Sequence, residues 1–397
     1  MSEARAFKIV DNVYWVGLKD WSRRLFDSLI PLPKGTSYNA YLVVGSEKVA
    51  LIDTVNPGFE KMLEDEIKEV VDPKLIDYVI MNHAEPDHAG AINYILNITP
   101  KAKLVTTPMG SKMARIFYDV PIDRIHVVKD GDILHLGSKT LRFIEAPMLH
   151  WPETMFTFLE EDGFLFSCDF FGSHLAEGMF DDEVDDILIH AHRYWAEIMM
   201  PFRSSALRAL EKISKLDVKI IAPSHGPIYR NPEKILDKYY KWAQGETEEK
   251  VTIIYTSMWG HTEKVVRLIE SELITREVNT VVHNLAYADV GDVAKDLADS
   301  EALILATPTL MGLAHPLAIQ ATYIAKLLKP PIKYAGLVVF YAWGTNADKQ
   351  LADALKELGV EIVDIIKINV TPTDDDIKRV RDLSNKIIER IKKASRT

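Results

Sequence analysis

Apolar and polar positions along the chain follow two rhythms, and the change between them falls near residues 243–250. Before that point, short apolar runs come in pairs around turn residues. Residues 41–44 and 49–52 flank Gly45 and Ser46, and residues 134–136 and 141–144 flank Gly137 and Ser138. Each pair reads as a β-hairpin. Helical patterns over 59–71, 89–98 and 110–118 fall between the strands, so this half predicts two sheets covered by helices. After residue 250 the rhythm is strand, helix, strand, helix. Strands are expected over 250–255, 280–284, 302–306, 336–341 and 361–368, and helices over 262–276, 289–298, 316–328, 346–358 and 373–393. Five such units in about 150 residues predict a doubly wound parallel sheet. The polar stretch between the halves divides the chain into domains 1–248 and 249–397. No internal repeat or low-complexity segment interrupts either rhythm.

Composition narrows the class. The 397 residues are 47% hydrophobic and 26% charged, which suits a globular protein with two cores. A net charge of −11 argues against a nucleic-acid partner. Cys168 is the one cysteine, so no intrachain disulfide forms, as in a reducing compartment. The N-terminus has no apolar segment of signal-peptide type, and no apolar run approaches the ~20 residues that span a membrane. The expected location is the cytoplasm, with no membrane partner.

The densest chemistry is HAEPDH at 83–88, which follows the apolar run 75–81. His83, Glu85, Asp87 and His88 place four metal-competent side chains at a strand end. His150, Asp169 and His225 also follow apolar runs and sit in Gly/Pro-rich turns, where a rigid scaffold presents reactive groups. Three carboxylates, four neutral imidazoles and a bridging hydroxide balance two divalent ions. Seven ligands suit two metals that share one carboxylate and keep open positions. A carboxylate at the third position of the first motif makes the site harder and moves the preference from zinc toward iron or manganese. His174 and Tyr194 are further candidates beside the metals. His126, His135 and His283 read as strand or surface positions, and His190 and His192 stay ambiguous.

The second half opens on a strand that runs into Thr256, Ser257, Met258, Trp259, Gly260, His261 and Thr262, with a helix from about Thr262. Free N–H groups at that helix start, with Ser/Thr hydroxyls, suit a phosphate. There is neither a GxxxxGK[ST] nor a GxGxxG loop. Two later loops, at Thr307, Pro308, Thr309, Leu310, Met311 and Gly312 and at Tyr341, Ala342, Trp343, Gly344 and Thr345, follow strands three and four. They line the crevice at the carboxyl ends of such a sheet. Trp259 and Trp343 are placed to stack on a planar ring.

The pattern His83-x-Glu85-x-Asp87-His88…His150…Asp169…His225 resembles the metallo-β-lactamase-like domain of flavodiiron proteins, or A-type flavoproteins. The region after residue 249 resembles flavodoxin, with Ser257, Gly260 and Thr262 matching its phosphate loop. The resemblance covers nearly the whole chain in the family's domain order. It implies an αββα sandwich plus a flavodoxin-like doubly wound sheet, with FMN and two non-haem iron ions as cofactors. It assigns His83, Glu85 and His150 to one iron and Asp87, His88 and His225 to the other, with Asp169 bridging. It also implies a head-to-tail homodimer, or a dimer of such dimers, in which each FMN meets the partner's irons.

The expected activity is reduction of O2 to water or of NO to N2O, with Tyr194 and His174 tuning the choice between gases. Electrons come from an external donor such as rubredoxin, a reduced deazaflavin or a flavin reductase. No CxxC pair is present, so no rubredoxin-like extension is expected, and the basic helical tail 387–397 reads as solvated surface. The rival reading is a zinc hydrolase fused to a flavodoxin-like electron carrier, and metal content separates the two.

Overall fold

The computed structural model describes residues 5–394. Residues 1–4 and 395–397, which carry the first part of the N-terminal reading and the end of the basic tail, lie outside the described residues. By internal contacts the chain forms two units: Met1–Trp195 with Phe202–Tyr240, and Ala196–Pro201 with Lys241–Thr397.

In the first unit, a seven-stranded sheet runs in the order Phe7–Val10, Val13–Trp15, Tyr41–Val44, Val49–Ile52, Ile76–Ile80, Lys103–Thr106, Ile125–Val127. Neighbours are antiparallel up to Val49–Ile52 and parallel beyond it. A five-stranded sheet runs Ile133–His135, Thr140–Glu145, Met155–Leu159, Phe164–Cys168, Ile220–Pro223. One core lies between the sheets, where Tyr41, Ile52 and Ile80 meet Phe143, Met155 and Phe166. The other face of the larger sheet buries Leu51, Val79 and Leu104 against Leu63, Ile67, Ile95 and Ala114 of its helices. Such double burial explains why these strands read as continuous apolar runs. The two hairpins foreseen over 41–52 and 134–144 are present. Gly45 is required where they meet, because a Cβ there would stand 1.9 Å from the Leu136 carbonyl oxygen.

The helix expected over 89–98 is two pieces, Pro86–Ala89 and Ile92–Ile98. The His88 carbonyl accepts from the backbone N–H and the hydroxyl of Thr54, both at 2.7 Å, and so leaves the helical ladder. That break lets the HAEPDH segment turn independently of the helix that follows it.

In the second unit, all five main strands are parallel, in the order Asn279–Asn284, Glu248–Tyr255, Ser300–Leu310, Tyr334–Tyr341, Glu361–Asn369. Numbered along the chain this is 2-1-3-4-5, the flavodoxin-like winding. Helices His261–Ile274 and Asp374–Ala394 cover one face, and Val290–Ala298, Pro316–Leu328 and Ala347–Lys356 the other. The structure corrects the loop expected after residue 306. Thr307, Pro308, Thr309 and Leu310 continue the third strand: Thr307 and Pro308 pair with Val339 and Phe340, and Thr309 and Leu310 fold back through Met311 and Gly312 onto Leu313–Ala314. Met311 and Gly312 both have positive φ, 54° and 81°, the backbone of a two-residue hairpin turn. Each of Thr307, Pro308, Thr309 and Leu310 thus finds a strand partner on one side, which an open loop would not supply. Among the described residues no helix is long and apolar enough to cross a membrane.

His283, read as a strand or surface position, is on strand Asn279–Asn284 and joins a largely buried charge cluster with Lys250, Asp296 and Asp299. Lys250 Nζ donates to Asp296 at 2.9 Å and to Asp299 at 2.7 Å, and His283 Nε2 lies 2.8 Å from Asp296. Burial works against the Asp296 carboxylate, but the hydrogen bonds from His283 and Lys250 hold its pKa down to about 2. A depressed carboxyl stabilises the fold above its unfolded value near ~3.9 and loses that contribution as pH falls toward ~2. Asp296→Asn is expected to lower unfolding free energy at pH 7 by ~1–2 kcal/mol after solvent screening. It should also flatten the stability profile between about pH 4 and 2, as read by urea unfolding.

Candidate functional site

Local hydrogen bonding aims HAEPDH. Asn82, directly after strand Ile76–Ile80, donates its backbone N–H and side-chain amide to the buried Asp53 carboxylate at 2.8 and 3.0 Å. Its amide oxygen accepts from Thr157 at 2.7 Å. The chain therefore enters His83 from a fixed point. Glu85 caps the short helix Pro86–Ala89, with Pro86 at its first position.

The seven expected ligands fall into two groups. His83, Glu85, His150 and Asp169 form one, and Asp87, His88 and His225 the other, with candidate donor atoms in each within 4.8 Å of one another. Two donors that each sit about 2.1 Å from a common ion lie roughly 3–4 Å apart, and these spacings match. Glu85 Oε2 is 3.2 Å from His83 Nε2 and 3.0 Å from His150 Nε2. Asp87 Oδ2 is 3.2 Å from His225 Nε2, and its Oδ1 is 3.4 Å from His88 Nε2. Asp169 faces both groups. Its Oδ2 lies 3.4 and 3.5 Å from the Nε2 atoms of His83 and His150, while Oδ1 lies 3.1 and 3.5 Å from those of His88 and His225.

This donor set fits a pair of cations. Among the described residues, both Asp87 carboxylate oxygens and Asp169 Oδ2 are buried without a hydrogen-bond partner. Buried, unpaired carboxylates are costly, and a metal removes that cost. Burial pulls His83, His150 and His88 toward neutrality, yet the surrounding carboxylates outweigh it and lift them to about 10, 10 and 9. The carboxylates thus demand positive charge at this point of the fold.

Tyr194 and His174 are brought to the same place. The Tyr194 hydroxyl donates to Asp169 Oδ1 at 2.8 Å. The His174 ring packs against Tyr194 and His225, with centroids 4.8 and 4.9 Å away, and its Nδ1 is 3.1 Å from Thr36 Oγ1. His190 and His192 stay on helix Ile187–Tyr194 and join neither ligand group. Tyr194→Phe removes only the donor to Asp169. An outer-shell hydrogen bond of this kind is typically worth ~10-fold or more, so turnover should fall about 10-fold with the metals still bound. Metal analysis beside turnover checks this.

The pattern-based reading missed the groups that orient the imidazoles. Glu153 accepts from His83 Nδ1 at 2.7 Å, and the Ser37 carbonyl accepts from His225 Nδ1 at 2.6 Å. Glu153 follows His150 by three residues, yet an acid in a Pro-containing turn is ordinary surface chemistry. Ser37 acts through its backbone, which carries no signal of residue type.

In the second unit, a cleft of about 400 Å³ opens at the carboxyl ends of the strands. Met258, Trp259, His261, Thr262, Pro308, Thr309, Leu310, Met311, Tyr341, Ala342 and Trp343 line it as expected, together with Phe340 and Val370, which were not foreseen. Thr256, Ser257, Gly260, Thr307 and Gly344 do not line it directly. Thr256 and Thr307 pair their hydroxyls at 2.9 Å, and Ser257 Oγ accepts from the Gly260 N–H at 3.1 Å. Gly260 has φ of 83°, and a Cβ there would meet nothing within 4 Å. It opens helix His261–Ile274, one residue earlier than expected. Trp259 and Trp343, 85% and 69% exposed, stand at the cleft with their faces free for a flat ring. The cleft fits a planar heterocycle whose phosphate meets a helix N-terminus.

The family model described as ODP family beta lactamase matches residues 36–226, and the flavodoxin model matches 253–382. The chain is 36% identical to a nitric oxide reductase of Moorella thermoacetica, over 96% of this chain and 98% of that protein. It is 34% identical to a coenzyme F420H(2) oxidase of Methanocaldococcus jannaschii, over 98% of each. Its fold superposes on rubredoxin oxygen:oxidoreductase from Desulfovibrio gigas with a TM-score of 0.94 at 30% identity, covering 98% of this chain and 99% of that one.

Proposed function

We infer the activity from one premise: this chain belongs to the flavodiiron protein family. It is an oxidoreductase that reduces O2, NO or both, using FMN and two irons. The balanced reactions are O2 with four electrons and four protons to two waters, and two NO with two electrons and two protons to N2O and water. The observation that carries this reading is the position of Asp169, one oxygen toward each ligand group, in a site whose first motif carries Glu85. The zinc-hydrolase reading is not favoured, because full-length relatives are named as oxidoreductases.

When bound, FMN and the irons carry the electrons and offer the gas open coordination positions. The protein supplies placement. We propose that His83, Glu85 and His150 hold one iron, Asp87, His88 and His225 the other, and Asp169 both. The Nδ1 contacts of His83 and His225 support this by turning each Nε2 toward the carboxylates. Tyr194 holds Asp169 through its hydroxyl, and His174 packs beside His225. Gly260 and the start of helix His261–Ile274 would receive the FMN phosphate, with Trp259 and Trp343 against the ring. In this reading residues 1–248 are the diiron half and 249–397 the FMN half.

We propose an external donor: a rubredoxin-type donor fits the names of the relatives above, and a reduced deazaflavin or a flavin reductase is the alternative. Following the family resemblance, we propose a head-to-tail homodimer, alone or paired into a tetramer. Dilution to monomers then abolishes turnover with both cofactors still bound. The deciding test reduces the protein anaerobically, mixes it in parallel with O2 and with NO, and follows FMN reoxidation. Reoxidation no faster than that of free flavin with either gas would overturn the reading.

A further inference from the structure

We propose that Glu153 makes the two halves of the metal pair unequal: it fixes the tautomer of His83 and hydrogen-bonds an extra negative charge to the ligating ring on that side. The inference rests on the diiron reading above.

Glu153 lies in the turn before strand Met155–Leu159, and its side chain is 0% exposed. Oε1 accepts from His83 Nδ1 at 2.7 Å and from the Ala84 N–H at 2.8 Å. The Glu153 carbonyl in turn accepts from Thr107 Oγ1 at 2.9 Å, which ties down the segment. An ionised carboxylate only accepts, so the His83 proton sits on Nδ1. Nε2, 3.2 Å from Glu85 and 3.4 Å from Asp169, is then the nitrogen that would give up its proton and offer its lone pair to a bound ion. Glu153 Oε2 has no hydrogen-bond partner among the described residues, so the charge is not shared with a second donor there.

The other group is built differently. His225 Nδ1 donates to a neutral acceptor, the Ser37 carbonyl. His88 Nδ1 is buried without a hydrogen-bond partner among the described residues. Counting the Asp169 charge as shared, the His83 side has Glu85 and, hydrogen-bonded behind its ring, Glu153, while the other side has Asp87; the buried Asp53 lies within electrostatic reach of both His88 and His83 and hydrogen-bonds neither. A carboxylate behind a ligating imidazole makes the ring a stronger donor. The His83-side iron is therefore held more tightly and is harder to reduce than its neighbour. Glu153 is a positioning residue, acting through His83 and not on the gas.

The test compares wild-type holoenzyme with Glu153→Gln and Glu153→Asp. The Gln variant keeps the size and one acceptor but drops the charge; the Asp variant keeps the charge. Iron retention is followed against a graded chelator, and the one-electron-reduced iron pair by electron paramagnetic resonance across a potential titration. In Glu153→Gln one of the two irons is expected to bind about 10- to 100-fold more weakly. The potential range over which the one-electron-reduced pair persists should narrow, and Glu153→Asp should recover part of both. Unchanged chelator and potential profiles in Glu153→Gln, with or without a lower melting temperature, would overturn the inference, as would equal weakening of both irons. A wild-type protein that binds no iron pair would instead overturn the reading beneath it, and that shows before any variant is made.

Discussion

Asp169→Ala is expected to strip both irons from the protein while leaving FMN in place. Asp169 is the carboxylate that meets histidines of both ligand groups, with Oδ2 toward His83 and His150 and Oδ1 toward His88 and His225. Its loss removes one ligand from each metal position and one of three negative charges that offset the ions. Losing even an outer hydrogen-bond partner of a metal ligand costs about 10- to 100-fold in affinity, so losing a shared ligand should exceed that at both positions. Elemental analysis should find well below one iron per chain, with one FMN by absorbance and no acceleration of flavin reoxidation. The residue is buried, and the Tyr194 hydroxyl loses its acceptor, a penalty of ~1–3 kcal/mol. Asp169→Asn, which keeps an acceptor and the shape, separates that structural cost from the loss of charge. Two irons retained in Asp169→Ala would contradict the bridging role.

Glu85→His is expected to change which metal the site selects. Glu85 Oε2 sits between the Nε2 atoms of His83 and His150, and its ring-for-carboxylate replacement gives that side three imidazoles. Imidazole-rich sites with fewer oxygen donors favour zinc over iron. One negative charge is also lost, which weakens the hold on a higher oxidation state. Protein produced with equal iron and zinc in the medium should shift from mainly iron to mainly zinc. Turnover with either gas should fall by at least ~100-fold, because zinc has no redox chemistry to offer. FMN should remain bound and chemically reducible. Wild-type iron content and turnover in this variant would show that Glu85 does not set the metal.

Much of the site was legible because its chemistry sits at strand ends. Apolar runs ending in HAEPDH, His150, Asp169 and His225 announce themselves by residue type, and the doubly wound parallel sheet follows from alternating strands and helices, its 2-1-3-4-5 order coming from the structure. The failures are local and have local causes. The helix expected over 89–98 breaks because Thr54 takes the His88 carbonyl, a partner 34 residues away. The loop expected after residue 306 stays a strand because Tyr334–Tyr341 and Leu313–Ala314 satisfy its backbone.

By itself, the sequence determined the kinds of donor, their number and their placement after strands, since side-chain chemistry and apolar period are properties of the residues themselves. The division of the seven candidate ligands into two groups came from the family resemblance, and only the tertiary structure decided which oxygen of Asp169 faces which group and which partners stand behind the rings. His225 is aimed by a carbonyl 188 residues away and His83 by a carboxylate 70 residues away. Such pairings exist because two sheets pack face to face and bring their strand ends together, and no local pattern encodes that approach.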